Sequence, residues 1–313
     1  MNIREIYKKI QNSLDYNEGS VLRLFWNMSI SHGLANYIPD KLFLRINYRI
    51  KKGKKLNLKN PVSFNEKIQW LKLYDRKPQY TSMVDKYEVK KYVSNIIGEQ
   101  YIIPTIGVYN RFNDIDFEAL PDSFVMKCTH DSGGLVIVKD KKRFNVEEAR
   151  KKIEGCLRYN YYFAGREWAY KNVKPRIIIE KYMEDKSGEN GEDGLFDYKI
   201  FSFDGEPKVI QVDFNRFLDH KRNLYDTDWN YINAVIEYPT NPDYVIKKPV
   251  VLDEMLLLAS KLSEGIPFVR VDFYCIHNRI YFGELTLYHG SGIEMFKPES
   301  FGDKMGSYIK VPT

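Results

Sequence analysis

Apolar and polar positions divide the chain into a helical lead and an alternating remainder. Residues 1 to about 84 read as helical, with Ser63-Phe-Asn-Glu66 forming a capping box ahead of the amphipathic run 67–74. The next helix starts at Asp85 and ends near Gly98, after which Pro104 forces residues 101–107 into an extended stretch. From about 121 to 183 the pattern is strand (124–127), glycine turn (Gly133-Gly134), strand (135–138), helix (146–157) and strand (176–180). A polar loop at 186–194 leads to alternating strands at 196–203 and 209–213, which turn at Asp204-Gly205. An amphipathic helix at 251–262, a hairpin at 268–286 and a short helical tail complete the pattern. The expected class is α+β in three parts: a helical N-terminal segment (1–84), a first lobe (85–183) and a second lobe (184–313).

The hairpin carries the most chemistry. Aromatic and β-branched residues fill two runs around the polar turn His277-Asn278-Arg279. Pairing centred on Asn278 sets Asp272 opposite Glu284, with Arg270 and Thr286 on the same face. Like charges roughly 5 Å apart across a sheet are destabilising. A hard divalent cation reverses that sign, because Mg²⁺ is held by one or two carboxylates and substrate phosphate oxygens. A register slip, or an Arg270–Asp272 surface ion pair, would explain the same residues without a metal.

Other segments are weaker alone. Lys127 precedes Cys128-Thr-His-Asp-Ser132-Gly133-Gly134, a turn able to offer backbone N–H groups and one ammonium to phosphate, or merely a hairpin with an exposed lysine. It is not a P-loop, and Gly290-Ser-Gly292 lacks the third glycine of a dinucleotide fingerprint. The backbone of Glu180-Lys181-Tyr182-Met183 could meet an adenine edge, although an edge-strand charge pair accounts for it equally. Lys199, Asp213 and Arg216 lie on facing arms of one hairpin, where the cations could steady a transferring phosphoryl group or serve as salt-bridge partners. His289 reads as structural. Asp226-Thr-Asp228 has the D-x-D form by which glycosyltransferases hold a metal and a nucleotide sugar, but no upstream nucleotide-binding βαβ pattern accompanies it.

Composition narrows the setting. With 313 residues, 43% of them apolar, the chain can build two or three lobes. Cys128, Cys156 and Cys275 show no metal-ligand spacing and cannot all pair, the N-terminal stretch lacks an apolar signal core, and no run approaches the ~18 apolar residues of a membrane span. The expected address is cytoplasmic. Part of the net charge of +6 is local, in Arg45, Arg49, Lys51, Lys52, Lys54, Lys55 and Lys59. This run is either a solvated face or loop, or a surface for anionic lipid at the inner face of the membrane, an acidic glycan or nucleic acid; no nucleic-acid motif accompanies it.

Taken in order, these pieces resemble the ATP-grasp superfamily, and within it the teichuronopeptide-biosynthesis (TupA-like) branch. Asp85-Lys86-x-x-x-Lys90 before Ile103-Pro104 resembles the family's first nucleotide lysine, helix and strand. Phe124-Val-Met-Lys127 with Ser132-Gly-Gly134 resembles the second lysine and phosphate loop, Ile177 to Met183 the adenine-contacting strand, and Arg270-Val-Asp272 with Gly283-Glu284-Leu-Thr286 the metal-binding pair. The similarity spans roughly residues 60–300. It departs from the familiar pattern in its helical first 84 residues and in Thr286, where many relatives have asparagine.

The resemblance implies two lobes gripping ATP. Lys86, Lys127 and the loop Ser132-Gly133-Gly134 would meet the phosphates, Glu180, Lys181 and Met183 the adenine, Asp272 and Glu284 Mg²⁺, and Lys199, Arg216 and Arg270 the acyl phosphate. The implied reaction joins a carboxylate, such as a uronic acid, to an amine, such as an amino acid or amino sugar, on a cell-surface polysaccharide or its precursor. A glycosyltransferase using Asp226 and Asp228 is the alternative enzyme. A membrane-surface scaffold is the non-enzymatic one. Oligomeric state is not legible.

Overall fold

The computed structural model describes residues 18–184, 196–214 and 220–311. The N-terminal segment is helical as its pattern predicts: α1 (Glu18–Ser31), α2 (Asp40–Lys52), α3 (Phe64–Tyr74) and α4 (Gln79–Val84). Ser63 caps α3 by accepting the Glu66 N–H, while Glu66 reaches back to the Ser63 N–H, the reciprocal box expected from the sequence. Trp26, Phe43, Leu44 and Tyr48 bury the facing sides of α1 and α2 in a small core of their own. Phe64, Ile68, Met83 and Val84 pack instead into the core of the larger sheet described below.

The next helix, α5 (Glu88–Ile97), begins three residues after the expected start. The Asp85 carboxylate accepts the N–H groups of Tyr87 and Glu88, the local bonding by which aspartate caps a helix rather than entering it. Lys86 therefore stands ahead of the helix. Its own N–H donates to the carbonyl of Thr129, tying it to the turn after Lys127.

Two antiparallel sheets follow. Strands β1 (Thr105–Tyr109), β2 (Phe124–Cys128), β3 (Leu135–Val138) and β4 (Ile177–Lys181) pair in the order β1-β4-β2-β3. Helix α6 (Val146–Leu157) packs against them around Phe124, Met126, Ile153 and Ile179, and the short α7 (Tyr162–Gly165) follows. The second sheet contains β5 (Asp197–Phe203), β6 (Glu206–Phe214) and β7 (Lys221–Tyr225). A two-stranded pair uses β8 (Val235–Ile236) and, later, β11 (Phe296–Lys297), with α8 (Leu252–Ser263) between β8 and the hairpin β9 (Val269–Ile276)–β10 (Arg279–Thr286). Helix α9 (Glu299–Tyr308) is the expected tail. The large sheet runs β10-β9-β5-β6-β7, with α8 on one face. Strand β7 escapes a reading by alternation because Arg222 and Asn223 are both buried polar residues within it.

The acidic hairpin reaches the expected pairing by an unexpected route. Its turn has only two residues, His277 and Asn278, with φ of 50° and 59°, the left-handed pair of a type I′ turn. That turn alone would set Glu284 opposite Val271. A bulge at Gly283 shifts the register by one residue and brings Glu284 opposite Asp272, and Thr286 opposite Arg270. Glycine suits the bulge because a Cβ there would lie 3.1 Å from the Asp272 carbonyl oxygen. The inward residues record the shift: Ile280 and Phe282 are buried before the bulge, Leu285 and Leu287 after it.

Candidate active site

A cavity of about 320 Å³ lies between the two sheets. Seven of the sequence-selected residues line it: Lys86, Lys127, Ser132, Gly134, Glu180, Asp272 and Glu284. Val89, Ile102, Ile103, Leu135 and Phe282 add apolar wall, which suits the faces of an aromatic base. Gly133 adjoins the cavity in sequence without lining it. Lys181 is exposed on the end of β4, and Met183 is half-buried beyond that strand. Lys199 and Arg270 stand behind the carboxylates. Arg216 lies outside the described residues.

At one end, Glu180 is buried between two lysines. Its carboxylate lies 2.7 Å from Lys127 Nζ and also pairs closely with Lys90 Nζ. Burial alone would raise its pKa, but Lys127 and Lys90 outweigh that effect and hold it below the usual carboxylate range. Burial pushes Lys90 down, against the pull of Glu180, and pushes Lys86 down as well. Lys86 donates to the Asp131 carbonyl at the start of the glycine turn. That turn is drawn tight: Asp131 accepts the Gly134 N–H, and a Cβ on Gly134 would strike Cys128 Sγ at 2.6 Å. Behind it, Cys128, Asp131 and Cys156 bring ligand atoms within 4.8 Å of one another, a gathering that spacing along the chain does not reveal. Both thiols are pushed up by burial, Cys156 to about 11, so they remain protonated at neutral pH and pack the base of the turn.

At the other end, Arg270 holds two carboxylates. Its Nε and Nη2 lie 2.7 and 2.6 Å from the oxygens of Asp272, and Nη2 also reaches Glu284 Oε1 at 2.9 Å. Lys199, which pairs with Asp272 across β5 and β9, sits 3.3 Å from its carboxylate and makes a close ion pair with Asp197. Burial pushes Asp272 up, to about 6, against Arg270 and Lys199. Glu284 is half exposed to the open cleft and is held low, because Arg270, Lys86 and Lys199 outweigh the desolvation imposed by the surrounding walls. Two opposed carboxylates, hard oxygen donors that already share a guanidinium, suit a divalent cation of the Mg²⁺ type.

Behind this pair stand His289, which the sequence reads as structural, and Glu294 and Arg222, which it did not select. His289 is buried; its Nδ1 accepts from Arg270 Nη1 at 2.8 Å, and its Nε2 lies 2.7 Å from Glu294 Oε2. Burial pushes the imidazole pKa down, so the ring is a neutral strut between Arg270 and Glu294 rather than a proton carrier. Burial would raise Glu294, but His289, Arg222 and Arg270 hold it at about 2. Arg222 binds Asp213 at 2.7 Å, so the cation opposite Asp213 within the described residues is one the sequence reading did not select. The spacing of buried charges through β7 was its only signal. Asp226 is spent on its own turn: its carboxylate accepts the N–H groups of Asp228 and Asn230 and the Asn230 side-chain amide, an arrangement that explains the D-x-D pattern locally.

Comparison with known proteins places the chain in a family. No curated protein sequence matches the chain. Among solved structures it is similar to D-alanine–D-alanine ligase from Helicobacter pylori, at 16% identity and a TM-score of 0.42, covering 79% of this chain and 69% of that one. It is similar also to the Bacillus anthracis enzyme complexed with ATP, at 18% identity and TM-score 0.41, covering 72% and 63% respectively. The Enterococcus faecalis D-Ala:D-Ser ligase matches at 12% identity and TM-score 0.42, covering 77% and 62%. The chain thus spans about two thirds of the length of these structures. Family comparison matches residues 66–310 to the TupA-like ATP-grasp description, a stretch that contains every strand and every lining residue of the cavity. On that match the chain belongs to the TupA-like ATP-grasp family.

Proposed function

We propose that this protein is an ATP-dependent carboxylate–amine ligase that joins an amino acid or amino sugar to a uronic acid of a cell-surface polysaccharide or its precursor. The observation that carries the reading is the cavity whose two ends bear opposite charge, lysines around Glu180 and carboxylates around Arg270. The polysaccharide part rests on the family's branch.

In this reading Lys86, Lys127 and the turn 132–134 bind the triphosphate, the apolar wall and the end of β4 take the adenine, and Asp272 with Glu284 take Mg²⁺. When bound, that ion would neutralise phosphate oxygens and polarise the transferring phosphoryl group. A substrate carboxylate oxygen attacks the γ-phosphorus and ADP leaves, giving an acyl phosphate. An amine then attacks the carbonyl carbon, and inorganic phosphate departs with one former carboxylate oxygen. Lys199 and Arg270 stabilise the negative charge that develops in both steps, and a closed turn keeps water from the acyl phosphate.

The test supplies the protein with ATP, Mg²⁺, ¹⁸O-carboxylate uronic acids and a panel of amino acids. The reading expects ADP release with ¹⁸O appearing in inorganic phosphate. Release of a nucleotide from a sugar donor, with no ADP formed from ATP, would overturn it in favour of glycosyl transfer.

A further inference from the structure

A second cavity, of about 420 Å³, opens between α1, α2 and the segment 159–167, beside the phosphate turn. Ser132 Oγ of that turn donates to the Tyr161 hydroxyl at 3.4 Å, so Tyr161 is wall to both the turn and the cavity. Glu167 and Ser291 form its inner side, and Asn27 and Lys51 its outer side.

Among the described residues, neither Glu167 nor Lys51 lies within ion-pair distance of an opposite charge. Glu167 is buried, and its carboxylate is bonded to the hydroxyl of Ser291. Lys72 compensates it from a distance: its ammonium donates to Ser291 Oγ at 2.8 Å and to the carbonyls of Ser291 and Gly165. This arrangement is built, not incidental. Ser291 holds φ of 53° between two left-handed glycines, and a Cβ on Gly165 would sit 2.2 Å from Ser291 Oγ. On the outer side, Lys51 Nζ donates to Asn27 Oδ1 at 2.7 Å, and burial, with a smaller contribution from the charge of Arg23, pushes its pKa down.

We infer that this cavity holds the amine substrate of the ligation, and that the substrate is a zwitterion of the amino-acid class, with its ammonium on Glu167 and its carboxylate on Lys51. The inference rests on the ligase reading above. An anion on the inner side and a cation on the outer side orient such a molecule with its amine toward the phosphate turn, where the acyl phosphate would form. The ammonium must lose a proton before it can attack, and Glu167 is the carboxylate in position to take it. The amine nitrogen then bonds to the carbonyl carbon, the carbon–oxygen bond to phosphate breaks, and the second nitrogen proton leaves with the phosphate. A neutral amine would leave Lys51 unanswered.

The full chain, with ATP and Mg²⁺ bound, is titrated with D- and L-amino acids and their α-amides by ligand-observed NMR. At least one amino acid should bind, with its α-amide about tenfold weaker. Lys51→Gln, which keeps a donor for Asn27, should remove that discrimination, whereas Glu167→Gln should weaken acid and amide alike. Circular dichroism identifies any variant that fails to fold, and Glu167→Asp, shorter but still charged, then takes the place of Glu167→Gln. Intact ATP binding with no amino-acid binding, with acid and amide bound equally, or with binding indifferent to both substitutions, overturns the inference. Failure to bind ATP at all would instead sink the ligase reading beneath it.

Discussion

Glu180 and Arg270 face the same cavity and do one task with opposite sign. Glu180 gathers Lys90 and Lys127 into a group of net charge +1, and Arg270 gathers Asp272 and Glu284 into a group of net charge −1. Two like charges ~5 Å apart repel by roughly 3 kcal/mol at the effective dielectric of such sites. A buried counter-ion removes most of that cost and leaves one unit of charge for a ligand. The difference lies in support. Glu180 is met by Lys127 from β2 and Lys90 from α5, whereas Arg270 is backed by the neutral ring of His289 and, behind it, the paired charges of Glu294 and Arg222, so the carboxylate end carries a second layer of support. On the proposed function, the end that would hold a small cation in defined geometry has the stiffer backing, and the end that would receive a diffuse polyphosphate has less.

Removing the central ions breaks the comparison most severely. Glu180→Ala should cost about 3–5 kcal/mol in urea unfolding, since two half-buried ammonium groups are left facing each other. A loss below ~1 kcal/mol would mean that water already screens the pair. Arg270→Met should cost roughly 3 kcal/mol in the absence of divalent ions, and millimolar Mg²⁺ should restore part of it, raising the melting temperature of the variant more than that of the unaltered protein. Equal response to Mg²⁺ in both would separate the carboxylates from metal binding.

Acid titration sharpens the asymmetry between the ends. The folded-state value of Glu294, about 2, lies below its ordinary 4.5. Its contribution to stability is therefore complete above pH ~4.5 and is lost as pH falls toward ~2. Glu294→Gln should flatten this limb of the stability curve by about 3 kcal/mol. The smallest effect belongs to a site outside both groups: Ser63→Ala should cost about 1 kcal/mol through the α3 cap and leave ATP affinity unchanged.

How much of this was legible follows from the range of each interaction. The cap at Ser63, the turn at Asp204-Gly205 and the strands flanking the glycine turn depend on neighbours in sequence, and their residues announce them. The facing of Asp272 and Glu284 was legible too, although through the wrong turn. The change of phase from Ile280 and Phe282 to Leu285 and Leu287 held the signal for the bulge. The counter-ions were less visible. Glu180 was selected for the backbone around it, while its partner Lys90, 90 residues earlier in the chain, could not be read from local pattern. Lys72, buried against Ser291, looked like any exposed position of an amphipathic helix.

The central claim is that the carboxylate pair on the bulged hairpin and the lysines around Glu180 grip one nucleotide. Calorimetric titration of ATP, with and without Mg²⁺, into the unaltered protein and the Asp272→Asn/Glu284→Gln double variant tests it most directly. The account predicts that Mg²⁺ strengthens ATP binding in the former and that the double variant loses this dependence while still folding. An equal Mg²⁺ effect in both proteins would contradict it.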